Sequence, residues 1–282
     1  MRGLALLFAL PLALASGPAE AYCRLALALA VDVSSSVDER EYALQAEGLA
    51  QALEHPEVVD AFLTVPGGTV ALMVYEWSGR YQQDVVLSWR EITRPDDLTR
   101  AAAALRGTRR TYAEIPTSIG DALGFGAVQF RDAPRCDRQV IDVSGDGINN
   151  DGFPPELAIA EFDFENTVVN GLVVGPEPGL EAYYWAEVIH GPDAFVEVAA
   201  RFEDFGAAMK RKLIKELGVA TAPPRACFHG NGGRSRAASD AQARRPRPGR
   251  GAAPSPPTPQ PRAARRRRVA REACPDTPPA RS

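Results

Sequence analysis

The chain turns on Leu25-Ala26-Leu27-Ala28-Leu29-Ala30-Val31, followed without a break by Asp32-Val33-Ser34-Ser35-Ser36. An unbroken apolar run of this length, bounded by polar residues, reads as a strand buried on both faces, and so as part of a parallel sheet. One carboxylate and two hydroxyls, at the alternate positions Asp32, Ser34 and Ser36, leave that strand together. In open α/β sheets the loops at the carboxyl ends of strands are where ligands bind. Oxygen-only donors in such a loop suit a hard cation, magnesium or calcium, better than zinc or copper. A Ser-rich turn capping the next helix is the plainer alternative for the same residues.

Two later segments have the same character. Thr117-Ser118-Ile119-Gly120-Asp121-Ala122-Leu123 sets a hydroxyl at the start of a helical pattern. Val140-Ile141-Asp142-Val143-Ser144-Gly145-Asp146-Gly147 is a second apolar strand that ends on a carboxylate in a Gly-flanked turn. In this order, Asp-x-Ser-x-Ser, a Thr ahead of Ile-Gly-x-Ala-Leu, and a strand ending in Asp-Gly resemble the von Willebrand factor A domain with its metal-ion-dependent adhesion site. The chain is more similar still to a group of bacterial exported A-like domains of unknown function, through Val140 to Gly147 and through Asn170-Gly171-Leu172-Val173-Val174-Gly175. The resemblance runs from about Cys23 to Gly218.

The resemblance implies an α/β fold: a doubly wound, mostly parallel six-stranded sheet with one antiparallel edge strand and helices on both faces. It also implies a ligand set for a divalent cation, Mg²⁺ or else Mn²⁺ or Ca²⁺. Ser34 and Ser36 bind the ion directly, Asp32 binds directly or through water, Thr117 supplies the second-motif hydroxyl, and Asp146 supplies the strand-end carboxylate. The glycine in Ser144-Gly145-Asp146, where many A domains have a simple Thr-Asp-Gly, leaves Ser144 as a rival to Asp146; Asp146 is adopted here. Cys23 and Cys136 each precede one of the two strands that carry these motifs. In A domains those strands are parallel neighbours, so a Cys23–Cys136 disulfide at the end of the core away from the ion is implied, against two unpaired buried thiols.

Around these motifs the chain alternates strand-like and helix-like segments. Strands are expected at Leu25–Asp32, Thr69–Trp77, Asp84–Trp89 (an edge hairpin partner), Gln139–Val143, Thr167–Val174 and Ala194–Val198. Helices are expected over Glu39–Leu53, ending near His55-Pro56, then Pro95–Leu105, Thr117–Phe130, Pro155 to about Phe164, and Phe202–Leu217. About 200 residues suit one domain, placed at 22–219.

Met1-Arg2-Gly3, the apolar stretch Leu4 to Ala15 and the small residues up to Ala19-Glu20-Ala21 read as a secretory signal peptide over 1–21. The stretch is too short for a transmembrane helix, and no other segment is long and apolar enough. Tyr22, ahead of Cys23, is not the small residue that precedes a lipidated cysteine. The expectation is an exported bacterial protein, periplasmic or secreted.

The formal charge of −4 conceals two opposite parts. From Thr221 onward there are 14 Arg, no Lys and 3 acidic residues, a net +11, which leaves −15 for the rest. The acidic part argues against nucleic acid as the folded domain's partner. The Pro-, Arg- and Ala-rich segment 220–282 has too few apolar residues to bury a core and reads as a disordered basic tail. Its run Arg265 to Arg268 suits polyanions or acidic surfaces.

Other residues carry less. Glu76-Trp77-Ser78 is a strand end that points toward the metal face, as a contact or as packing. Asn149-Asn150-Asp151 is a polar turn or part of the site's rim. Asp142 lies within a buried strand and needs a partner, behind the metal or at a sheet edge. Tyr183-Tyr184-Trp185 reads as packing. The 3 His, at 55, 190 and 229, stand in no ligand or triad spacing, and there is no phosphate loop or nucleophile elbow.

The function that follows is an exported, non-enzymatic, adhesion-type module. It uses the open position of the cation to hold an Asp or Glu side chain of a protein partner. A metal-assisted hydrolase, with Asp32 and Asp146 on the ion, and a structural domain with a vestigial metal site are the alternatives. Nothing in the sequence specifies an oligomeric state.

Overall fold

A computed structural model describes residues 22–218 except 66, 67 and 113. The leader expected over 1–21 and the tail from 220 onward lie outside the described residues. β1 (Tyr22–Asp32) is the opening apolar run. Leu25, Leu27, Leu29 and Val31 enter the hydrophobic layer on one face, and Ala26, Ala28 and Ala30 the layer on the other. All seven are 7% exposed or less, which is why the run shows no polar alternation. Each of the three leucines contributes about 1.5–3 kcal/mol by burial.

The chain then forms α1 (Glu39–Glu54), α2 (Pro56–Leu63), β2 (Gly68–Trp77), β3 (Gln83–Ile92), α3 (Pro95–Gly107) and α4 (Ile119–Gln129). It continues through β4 (Gln139–Gly145), α5 (Pro155–Glu161), β5 (Thr167–Val174), α6 (Leu180–Tyr183), β6 (Val196–Ala199) and α7 (Phe205–Gly218). The sheet order is β3-β2-β1-β4-β5-β6. Every adjacent pair is parallel except β2 with β3. This is the doubly wound sheet with one antiparallel edge strand that the resemblance implied.

The leucine face of β1 is covered by α1, α2, α3 and α7, and the alanine face by α4, α5 and α6. Small residues on the second face let α4 come close. A Cβ on Gly126 would stand 2.7 Å from Tyr75 Oη and 2.8 Å from Ile141 Cδ1, so any side chain there forces its neighbours to shift. Strand order runs outward from β1 in both directions. The carboxyl ends of β1 and β4 therefore flank the point of reversal, where such sheets bind ligands.

Two helices go beyond the sequence expectation. Pro56 reads as a stop for α1, but at the first helical position its fixed φ and missing N–H start a helix equally well. His55 closes α1 and caps α2, its Nδ1 accepting from Glu57 N–H at 3.3 Å. After β5, Gly179 at φ 95° turns the chain into α6, which runs on as a π turn over Tyr184–Val188. Tyr184 is wholly buried and Trp185 half-exposed.

Asp142 faces no sheet edge. It is buried in mid-sheet, 3.0 Å from Lys212 Nζ of α7, and Lys212 also pairs with Glu216 at 2.9 Å. Cys23 and Cys136 form the implied disulfide, with Cα atoms 4.4 Å apart, at the end of β1 away from Asp32. Among the described residues no helix is long and apolar enough to cross a membrane.

Candidate metal centre

β1 ends on Asp32, and the chain cannot extend further because the loop to α1 is pinned on both sides. Val33 N–H donates to Trp77 O at 2.9 Å and Ser35 N–H to Ile115 O at 2.8 Å. Asp38 then caps α1, accepting from Glu41 N–H while Glu41 Oε2 accepts from Asp38 N–H, both at 2.8 Å. The Asp32–Ser36 loop is thus held between a strand end and a capped helix. Its side chains have little freedom to turn away.

The five candidate residues come together. Asp32 Oδ1 accepts from Ser34 N–H at 2.8 Å. Ser34 Oγ lies 3.2 Å from Ser36 Oγ, and Thr117 Oγ1 donates to Ser34 Oγ at 3.2 Å. Ser36 Oγ donates to Asp146 Oδ1 at 2.6 Å. Asp32, Ser34 and Thr117 are buried, Asp146 half-buried and Ser36 exposed, so the cluster opens to solvent on the Ser36 side. Ser144 points elsewhere: its hydroxyl donates to Ala30 O at 3.2 Å, inside the sheet.

The two carboxylates are uncomfortable without a cation. Burial, and then the charge of Asp146, raise the Asp32 pKa to about 7. Burial raises Asp146 as well, against the Ser36 hydrogen bond, which lowers it. Asp32 Oδ2 is buried with no hydrogen-bond partner among the protein atoms. A buried carboxylate normally has a compensating donor or cation. Three hydroxyls and two carboxylates on one small patch fit a hard divalent ion, which offsets both the burial and the mutual repulsion. Among the described residues no group of three or more His, Cys, Asp or Glu side chains is placed to share a metal. The donor set here is dominated by hydroxyls instead.

Several bracing residues had no sequence signal or only a weak one. Arg110 donates to Ser34 O at 2.8 Å and Val33 O at 3.2 Å, clamping the first loop from behind. Gln45, buried in α1, donates to Asp32 O at 3.0 Å. Its sole clue is a polar residue on the helix face that carries Tyr42 and Leu49. The Asn149-Asn150-Asp151 turn braces the Thr117 loop. Asn150 Oδ1 accepts from Thr117 N–H at 2.9 Å, and Thr117 O accepts from Asn150 and Asp151 N–H at 2.9 and 3.1 Å. Arg80, on the β2–β3 turn, pairs with Asp151 at 2.7 Å. Glu76 turns away from the cluster to accept from Tyr42 Oη at 2.7 Å, while Trp77 packs, buried, near Asp32. A cavity of about 430 Å³ lined by Thr167, Asn170, His190 and Glu216 lies at the opposite end of the sheet.

Sheet order, layers and motif positions define a von Willebrand factor A-like domain. Solved structures agree on the fold. Proximal thread matrix protein 1 from the mussel byssus superposes with a TM-score of 0.53 at 17% identity, covering 71% of this chain and 49% of that one. A form of it described as having a zinc-occupied MIDAS motif gives 0.50 at 14%, over 71% and 49%. The von Willebrand factor type A protein from Catenulispora acidiphila gives 0.50 at 20%, over 69% and 43%. The chain spans about half the length of these structures or less. Residues 22–221 match the family described as "Protein of unknown function (DUF1194)", and the chain belongs to that family. No curated protein matches it.

Proposed function

We propose that this protein is an exported module that binds another protein through a divalent cation, Mg²⁺ with Mn²⁺ or Ca²⁺ as substitutes. The observation that carries the reading is the convergence of Asp32, Ser34, Ser36, Thr117 and Asp146 into one hydrogen-bonded cluster at the sheet's point of reversal. These residues would hold the ion, and the ion would supply an open, electron-poor position on the exposed side. Only two anionic groups contribute, which balance the ion's two positive charges without exceeding them, so its open position still accepts a further anion. A partner's Asp or Glu side chain has the matching charge and hardness. A rim that excludes water strengthens that contact.

A neighbour whose zinc-occupied motif sits in the same fold supports the choice of a divalent cation. The donor set favours a binder over a hydrolase, since no imidazole or third carboxylate joins the cluster among the described residues. Periplasmic or secreted placement rests on the leader expected from the sequence and on the disulfide.

The test is thermal unfolding of the whole chain against Mg²⁺ and Mn²⁺. The expected result is a midpoint that rises with either ion in the wild type and stays fixed in Asp32→Ala and Asp146→Ala. Equal responses in all three proteins refute the site. Phosphatase and esterase assays should stay at background; turnover that Asp146→Ala abolishes overturns the binding reading in favour of a hydrolase.

A further inference from the structure

Behind Asp32 lie three buried polar atoms without a hydrogen-bond partner among the protein atoms: Asp32 Oδ2, Tyr184 Oη and Trp77 Nε1. Their side chains belong to three separate elements, β1, the π turn and β2, and each residue is at 0% exposure. They meet over Gly145, the last residue of β4. A Cβ placed there would stand 2.6 Å from Tyr184 Oη, 2.9 Å from Asp32 Oδ2 and 3.5 Å from Trp77 Cζ2. Cζ2 is two bonds from the indole nitrogen, which puts the unpartnered N–H within a few ångströms of the same glycine. The glycine that separates Ser144 from Asp146 therefore has a physical reason. A side chain at 145 would collide with the phenol and the carboxylate.

The chemistry of the three atoms is complementary. The indole N–H is a donor only, the phenol O–H donates and accepts, and the carboxylate oxygen accepts. One water accepting from Trp77 and Tyr184 and donating to Asp32 Oδ2 satisfies all three, with the two to four bonds typical of buried water. The π turn that begins at Tyr184 is the kind of helix irregularity found disproportionately at functional sites.

Resting on the cation reading above, we infer that Tyr184 is a positioning residue: with Trp77 it holds one buried water against Asp32 Oδ2 and so fixes the rotation of the Asp32 carboxylate beneath the ion. Groups that orient a metal-binding side chain from behind typically change affinity when removed. A merely space-filling Tyr184 predicts no such change on conversion to Phe.

The test uses the whole chain and has two readouts. Mn²⁺ affinity, measured by EPR of the free ion, should weaken about tenfold in Tyr184→Phe. Tyr75→Phe, which removes another buried hydroxyl of the same layer, bonded to Ala122 O, should stay within about twofold of wild type. The second readout needs no metal. The chain has 3 Trp, so ¹⁵N indole spectra with Trp77→Phe as the assignment control isolate the Trp77 signal. A long-lived water should give an NOE to the Trp77 indole proton, and the indole resonance should shift in Tyr184→Phe. Wild-type Mn²⁺ affinity in Tyr184→Phe, or no water signal at Trp77, overturns the inference. If Tyr184→Phe fails to fold, Trp77→Phe must show the affinity loss instead, and wild-type affinity there overturns it equally. If the wild type itself binds no Mn²⁺, the cation reading falls and the positioning role with it. The water signal then decides separately whether the pocket exists.

Discussion

Replacing Asp32 with Asn should make the metal-free protein more stable while removing its response to cations. The argument starts from burial. Asp32 is wholly buried, and its folded pKa stands at about 7 where an unfolded Asp titrates at about 3.9. The folded state therefore holds the proton more tightly than the unfolded state. Stability contributed by the neutral form is complete below about pH 4, is lost as pH rises from about 4 to about 7, and stays lost above that. Three pKa units at about 1.4 kcal/mol each set a ceiling of about 4 kcal/mol on the penalty carried at pH 8. The amide introduced by Asp32→Asn keeps the acceptor for Ser34 N–H and carries no charge. Urea unfolding in chelator at pH 8 should show Asp32→Asn ahead of wild type by up to about 4 kcal/mol. For a domain of this size that corresponds to roughly 8–16 °C in midpoint. At pH 4 the two proteins should coincide. Excess Mg²⁺ should narrow the gap and close it by about a thousandfold excess over Kd, since wild type gains about 2.7 kcal/mol at a hundredfold and about 4.1 kcal/mol at a thousandfold excess while the variant gains nothing. A variant less stable than wild type in chelator at pH 8, or an advantage of equal size at pH 4 and pH 8, refutes the reasoning.

Arg110→Met should weaken Mn²⁺ binding about tenfold, by freeing the Val33 and Ser34 carbonyls and loosening the loop. Calorimetric titration measures it, and unchanged affinity removes Arg110 from the site's support. Lys212→Met strands Asp142 and Glu216 in the core and should cost more than about 3 kcal/mol in urea unfolding. Adding Asp142→Leu and Glu216→Gln should recover most of that loss; no recovery would mean that Lys212 acts by packing. Reduction of the Cys23–Cys136 bridge, or Cys136→Ser, should each lower stability by roughly 2–4 kcal/mol, and reductant should have no further effect on the variant.

The parts of this fold that were legible in the sequence are those fixed by contiguous residues. Leu25 to Ser36 reads directly, because a strand and the loop that ends it lie within one short stretch. The Asp142–Lys212 pair does not read. Lys212 sits among Lys210, Arg211 and Lys215, and nothing local marks it as the one that turns inward. Arg110 and Ser34 are 76 residues apart, and only the packed loops bring the guanidinium under the carbonyls. Tyr184 is invisible for the same reason. Its hydroxyl matters because β4 carries Gly145 past it, and the π turn that aims it has no sequence pattern of its own. Pro56 misleads because one residue type both stops and starts helices, and His55 decides which.

Register explains why so scattered a donor set can be dependable. β1 and β4 pair with a constant offset: Ala26 opposite Gln139, Leu29 opposite Asp142, Val31 opposite Ser144. The disulfide joins Cys23 to Cys136, and its sequence separation of 113 is that same offset. The covalent link at one end of the strand pair and the metal cluster at the other therefore specify one alignment. A slip of a single residue would turn Ser144 to the opposite face of the sheet and carry Asp146 away from Ser36. Leucines on one face of β1 and alanines on the other oppose that slip, because each face would meet a layer built for the other size of side chain. The same seven apolar residues that decide the fold thus also hold the carboxylates where a cation can join them.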